Sequence, residues 1–175
     1  MCIRDRISAE HDSKKREEYL ARLMAMPNSS WATIIAQAQQ DVGILKQTDV
    51  IRNVQHILQV NVSTCSSLGA PYISQLNLIF TDMLAVYKMY SELISTAIAT
   101  GGPHAAKTSG VKLMRSVKKV TLRLVETFVD KADDLPLIAS QYVPAMMDPL
   151  LGDYSRNVPD ARDAEVLSAF AAMIN

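Results

Sequence analysis

Apolar residues along this chain recur in steps of three and four, the spacing that lines one face of a helix. Trp31, Ile34, Ile35, Ala38, Val42 and Leu45 form the first such row. Asn28, Ser29 and Ser30 follow Pro27. Their side-chain oxygens are placed to cap the free amides of a helix over 28–45. A polar break at Gln47-Thr48-Asp49 caps the next helix, 48–68, whose row is Ile51, Val54, Leu58, Val62 and Cys65. Gly69 can take the left-handed conformation that closes a helix, and Pro71 blocks continuation. The third helix is predicted over 71–100. Tyr72, Leu76, Ile79, Met83, Tyr87, Tyr90, Ile94 and Ala97 keep the period, while Ile73, Phe80, Leu84, Leu93 and Ile98 widen the stripe. So broad an apolar surface implies burial on more than one side. Gly101-Gly102-Pro103 ends it.

The fourth helix, 111–132, follows Thr108-Ser109-Gly110. Its apolar row is Val111, Met114, Val117, Thr121, Leu124, Val125 and Phe128, and its opposite row is Lys112, Arg115, Lys119 and Arg123. A fifth over 135–154 carries Ile138, Tyr142, Met146 and Leu150 on one side. Pro144 should kink it, because proline removes a backbone donor and crowds the preceding turn. A sixth is predicted to start at Pro159, a good first-turn residue, and carries Val166, Leu167, Phe170 and Ile174. The chain stops at Asn175 inside it. Upstream, 13–27 reads as a partial helix of a preceding repeat, through Leu20, Leu23 and Met24. Residues 1–12 read as a non-native or disordered leader, with Met1-Cys2-Ile3-Arg4-Asp5-Arg6 a cloning or assembly remnant.

No segment alternates in steps of two as a strand would. The six helices group into three hairpins, 28–68, 71–132 and 135–175. The first and third are about 40 residues, the period of HEAT-type repeats; the middle one has a long first helix and an extended loop, 101–110. The predicted fold is therefore all-α, an α-solenoid of antiparallel helix pairs cut from a larger superhelix. A globular helical bundle competes with it. The unfinished last helix favours the solenoid, whose ends need polar caps that this chain lacks.

Composition changes this picture little. The 175 residues carry 18 basic and 18 acidic side chains, so no surplus of cations marks a bulk nucleic-acid binder. The two cysteines, Cys2 and Cys65, form neither a disulfide framework nor a zinc cluster. No apolar run reaches the roughly 18–20 residues that span a bilayer, and the start has no apolar signal core. A reducing compartment, cytoplasm or nucleus, fits these features.

Candidate chemistry is sparse. Gly101-Gly102-Pro103-His104-Ala105-Ala106-Lys107-Thr108 resembles a phosphate-binding loop, but that loop needs glycine at the sixth position and a preceding strand. Ala106 and a preceding helix occupy those places, so the segment reads as a connecting loop. His11, His56 and His104 are scattered, with no ligand or catalytic partner at suitable spacing. Cys65 lies on an apolar row and reads as a buried thiol. Asp130, Asp133 and Asp134 surround a helix end as caps. The chain is predicted to hold no cofactor, metal or catalytic residue. Lys112, Arg115, Lys118, Lys119 and Arg123 place five cations in twelve residues. They read either as a solvated face or as a contact surface for an acidic partner.

Three stretches carry a family resemblance: 82–92 (Asp82-Met83-Leu84-Ala85-Val86-Tyr87-Lys88-Met89-Tyr90-Ser91-Glu92), 154–168 (Tyr154-Ser155-Arg156-Asn157-Val158-Pro159-Asp160-Ala161-Arg162-Asp163-Ala164-Glu165-Val166-Leu167-Ser168), and Glu17-Glu18-Tyr19-Leu20 with Leu23, Met24 and Pro27-Asn28. With Trp31 and Ile34-Ile35 they resemble the C-terminal region of the Crm-type exportins, of the importin-β (karyopherin) family. The similarity runs from about Glu17 to Asn175, leaving Met1 to Asp12 outside.

The resemblance implies a superhelix of HEAT repeats, not an enzyme. It implies a receptor that binds leucine-rich signals on cargo together with Ran-GTP. It also implies passage through nuclear pores on Phe-Gly repeats, shuttling between nucleus and cytoplasm, with no direct contact to nucleic acid or membrane. Helices 28–45, 71–100 and 135–154 would be outer ones; 48–68, 111–132 and 159–175 would be inner ones, facing Ran and cargo. The signal-binding groove and its reactive cysteine would lie upstream, so Cys65 is not that cysteine, and the autoinhibitory tail of the family would be missing. A self-standing helical adaptor or accessory domain is the alternative reading.

Overall fold

The computed structural model describes residues 3–174, with side chains from Asp12 to Ile174. Helix α1 spans Ile3–Gln40, α2 Thr48–Leu68, α3 Ile73–Gly101 and α4 Ser109–Lys131. A composite helix α5 follows over 135–156, and α6 covers Glu165–Ile174. Among the described residues no strand occurs, and no helix is long and apolar enough to cross a membrane.

The helices form two layers. α1, α3 and α5 lie side by side in one; α2, α4 and α6 lie side by side in the other, with α2 against α4 and α4 against α6 as its main seams. Each pair, α1/α2, α3/α4 and α5/α6, is antiparallel across a short connection. This is the stack of helix pairs predicted from the sequence. One apolar cluster runs through it from Trp31 to Phe170.

Several predicted boundaries move. α1 is continuous through Pro27, so the break that separated 13–27 from 28–45 is absent. Of the side chains expected to cap a new helix there, Asn28 is used elsewhere. The Asn28 amide exchanges two hydrogen bonds with Gln75 of α3, at 3.0 and 2.7 Å, while the Ser29 carbonyl accepts from Thr33 Oγ1 one turn on. The helix ends at Gln40, not at 45. Asp41 then caps a 3₁₀ turn, Val42–Lys46, by accepting from the Gly43 amide at 2.8 Å. Within the residues read as a leader, the backbone from Ile3 onward is already helical; Met1 and Cys2 lie outside the described residues.

Both helices stop at the expected glycines, but with ψ of −139° at Gly69 and −168° at Gly102, outside the left-handed helical region expected for Gly69. Gly69 and Gly102 both have φ of 69°, and their amides return to Cys65 O and Ile98 O. A side chain at either position is strained by the backbone itself. Nothing lies within 4 Å of a Cβ built on Gly69, so Gly69→Ala isolates that strain. It is expected to destabilise the fold by about 1–3 kcal/mol, read from the opening free energies of nearby amides by hydrogen exchange. After Gly102 the predicted open loop is a 3₁₀ turn, Pro103–Lys107, and Thr108 caps α4 by accepting from the Val111 amide.

α5 departs furthest from expectation. In place of one kink at Pro144 it alternates α turns with two π segments, Ile138–Tyr142 and Met147–Gly152. Pro144 and Pro149 each withdraw a donor from the ladder, and a wider turn lies beside or around each. α6 begins at Glu165 and not at Pro159, which instead opens a 3₁₀ turn, Pro159–Ala161. The stretch 157–164 is held by side chains rather than by a regular ladder.

Candidate functional site

The basic row of α4 divides sharply. Lys112 and Arg123 are exposed, and no ion pair forms at either among the described residues. Lys119 is half-exposed and pairs with Glu165 of α6 at 2.8 Å. That bond from Lys119 holds the Glu165 carboxyl below its ordinary value. Arg115 reaches from α4 over the 157–164 stretch. Its Nε and Nη2 donate to Asp163 Oδ1 at 3.1 and 2.9 Å, its Nη1 to Asp160 O at 3.0 Å and its Nη2 to Arg162 O at 3.1 Å.

Lys118 is not on the surface at all: it is 1% exposed. Its Nζ lies 3.0 Å from Ser91 Oγ and 3.4 Å from both Asp153 Oδ2 and Asp163 Oδ2. It also sits 4.8 Å above the centre of the Tyr87 ring, where the negative face of the ring favours a cation. Asn157 closes the cluster by donating to Asp153 Oδ2 at 2.9 Å and to Ser91 Oγ at 3.1 Å. Ser95 donates to Asn157 Oδ1 at 2.5 Å, and Arg162 donates to Asn157 O at 2.9 Å. Residues from α3, α4, α5 and the 157–164 stretch thus meet at the junction of the second and third helix pairs. Three of the five cations predicted to face a partner are engaged within the chain.

The junction between the first and second pairs has a counterpart without charge. Asn61 of α2 is fully buried. Its Oδ1 accepts from Tyr72 Oη at 2.8 Å and from Gln75 Nε2 at 3.2 Å, and Gln75 in turn pairs with Asn28. Sequence reasoning missed both networks. For Lys118 a signal existed, since it falls in the apolar row Met114, Lys118, Thr121, Val125, and a cation in such a row needs a buried partner. Arg52 was also missed. It lines a cleft of about 400 Å³ between α2 and α4, together with Lys112, Thr48, Ser109 and Ser116.

Asp134 caps α5 by accepting from the Leu137 amide at 3.0 Å. His56 is exposed on α2. The segment 101–108 follows α3 and carries the 3₁₀ turn Pro103–Lys107. Among the described residues no cluster could hold a metal ion. Cys65 is buried, and desolvation pushes its thiol up to about 11. Since the thiolate is the reactive form, Cys65 is expected to resist iodoacetamide at pH 8 in the folded protein and to react after unfolding in guanidinium, as read by mass spectrometry.

The family described as CRM1 C terminal matches residues 75–175. Protein EXPORTIN 1A of Arabidopsis thaliana is 62% identical over 169 residues, covering 97% of this chain and 16% of that protein. Exportin-1 of Schizosaccharomyces pombe is 38% identical over 169 residues, and exportin-1 of Drosophila melanogaster is 38% identical over 170, each covering the same shares. The chain spans about a sixth of the length of the curated relatives it matches. A match of 97% of the chain leaves about six residues outside. The similarity therefore reaches into residues 1–12, which the sequence reading had placed beyond it. Two of the stretches that carried the resemblance, 82–92 and 154–168, are the ones that meet around Lys118.

Proposed function

Because this chain belongs to the CRM1 C-terminal family, we propose that it is one stretch of the helical scaffold of a nuclear export receptor, which carries leucine-rich-signal cargo out of the nucleus with Ran-GTP. The match of residues 75–175 is the observation that supports this most; the two-layer stack of helix pairs agrees with it. The stretch acts as a binding surface and a spacer, without chemistry or a cofactor of its own. The receptor that contains it shuttles between nucleus and cytoplasm through the pore on Phe-Gly repeats, and contacts neither nucleic acid nor membrane directly.

Within this stretch the layer of α2, α4 and α6 is the inner one. Its partner-facing cations are Lys112 and Arg123, with Arg52 beside Lys112. Exposed charges of this kind act mainly on the association rate and on its salt dependence. Lys112→Glu with Arg123→Glu in the full-length receptor is expected to slow assembly of the Ran-GTP–cargo complex by about tenfold at low salt, with a smaller effect at high salt. Surface plasmon resonance over a salt series reads this. Unchanged association would remove the α4 face from the contact surface.

A further inference from the structure

We propose that the buried ionic cluster around Lys118 sets the angle between the second and third helix pairs and adds little to the net stability of the fold. The inference stands on the cluster itself, whichever partner the scaffold binds.

Four observations carry it. The charged groups are deep: Lys118 is 1% exposed and Asp163 2%. Removing charges from water costs several kcal/mol per ion before any pairing is counted, about what a good pair recovers. The pairing at Lys118 is loose, while Arg115 holds the other oxygen of Asp163 at 2.9 Å. Lys118 Nζ stands 3.4 Å from both carboxylates, and Asp163 Oδ2 has no hydrogen-bond donor. The neighbouring junction fills the equivalent position with neutral Asn28, Asn61, Tyr72 and Gln75, so such a junction does not need charge to close.

The fourth observation is what the cluster holds. The 157–164 stretch has only one short 3₁₀ turn of regular structure. Its path is fixed by directional bonds from Arg115 to Asp160 O, Arg162 O and Asp163, and from Arg162 to Asn157 O. Apolar contacts between α4 and α6 are non-directional and would tolerate sliding. A hydrogen-bonded cluster drawing on four elements would not. Specifying one geometry among several of similar stability is the best-attested use of buried polar groups.

The test compares two variants in the full-length protein. Lys118→Met removes the ammonium and leaves Arg115 as the one cation for the two carboxylates of Asp153 and Asp163. Lys118→Met with Asp163→Asn removes one charge of each sign, and Asp153 keeps its donors from Ser91 and Asn157. Amide exchange across 157–174 reads stability. The distance distribution between spin labels at Ala85→Cys and Ala171→Cys, both exposed, reads geometry. The single variant is expected to speed exchange by about tenfold or more. The double variant is expected to return exchange to within about threefold of the parent while the distance distribution stays broadened. A double variant as narrow as the parent would overturn the proposal, since the geometry would not need the ions. So would a double variant that exchanges as fast as the single one, because the cluster would then be a stabilising element. If the single variant fails to fold, the double variant is compared with the parent alone, and exchange more than about threefold faster or an equally narrow distance distribution overturns the proposal.

Discussion

Asp163→Ala is expected to weaken the seating of α6 by about 3–5 kcal/mol. The side chain has no exposed surface. Its loss strands the Lys118 ammonium in the core with Asp153 as its remaining carboxylate. It also takes from Arg115 the two bonds that anchor the guanidinium. An uncompensated buried charge is among the few mechanisms that produce effects of this size. Asp148 provides the contrast within the same helix pair. It also binds an arginine, Arg156, at 2.9 Å, and that bond holds its carboxyl below the ordinary value, but both side chains are mostly in water. Asp148→Ala is expected to leave stability unchanged. Exchange of the α6 amides in the two variants separates the cases. Equal protection in both would mean that the Lys118 cluster is hydrated and carries no buried charge.

The second large effect is expected at Tyr72, which has no exposed surface. It sits in the 3₁₀ turn Ala70–Tyr72, between the Gly69 stop and α3, and its hydroxyl donates to buried Asn61. Tyr72→Ala removes a ring from the core and a donor from the first junction, an expected loss of about 3–5 kcal/mol. Tyr72→Phe keeps the ring. Asn61 Oδ1 still accepts from Gln75, so that loss should fall to about 1 kcal/mol. Exchange in α2 reports both. A Phe variant as damaged as the Ala variant would mean that the amide network, rather than the ring, holds the first junction together.

These expectations mark what the sequence could and could not reveal. α3 and α4 were legible because their apolar rows persist for many turns, and because Gly69, Gly102 and Thr108 stop or cap the chain by local geometry alone. The break at Pro27 was misread. A proline and three small polar residues are a strong local stop signal, and only the pairing of Asn28 with Gln75, 47 positions away, shows why the helix continues. The π segments of α5 were equally hidden. A single proline predicts a kink, whereas two prolines five residues apart leave a ladder that slips twice.

The candidate surface was legible as a run of cations but not as a division among them. On a helical projection Lys118 falls within the apolar row, and that alone could have marked it as buried. The partners of Arg115, Lys118 and Lys119 are Asp153, Asp163 and Glu165, more than thirty residues away. Nothing in local spacing connects them. Lys112 and Arg123 remain as the members of that row without an ion pair among the described residues.

The most direct test of the scaffold reading is a chimera. The corresponding stretch of Arabidopsis EXPORTIN 1A is replaced by this chain, and nuclear export of a reporter bearing a leucine-rich signal is followed in cells. The account predicts export at close to the parental rate, because the helix pairs, their junctions and the exposed cations supply what the stretch contributes. A chimera that folds and enters the nucleus but leaves the reporter there would contradict it, and would favour a self-standing helical domain.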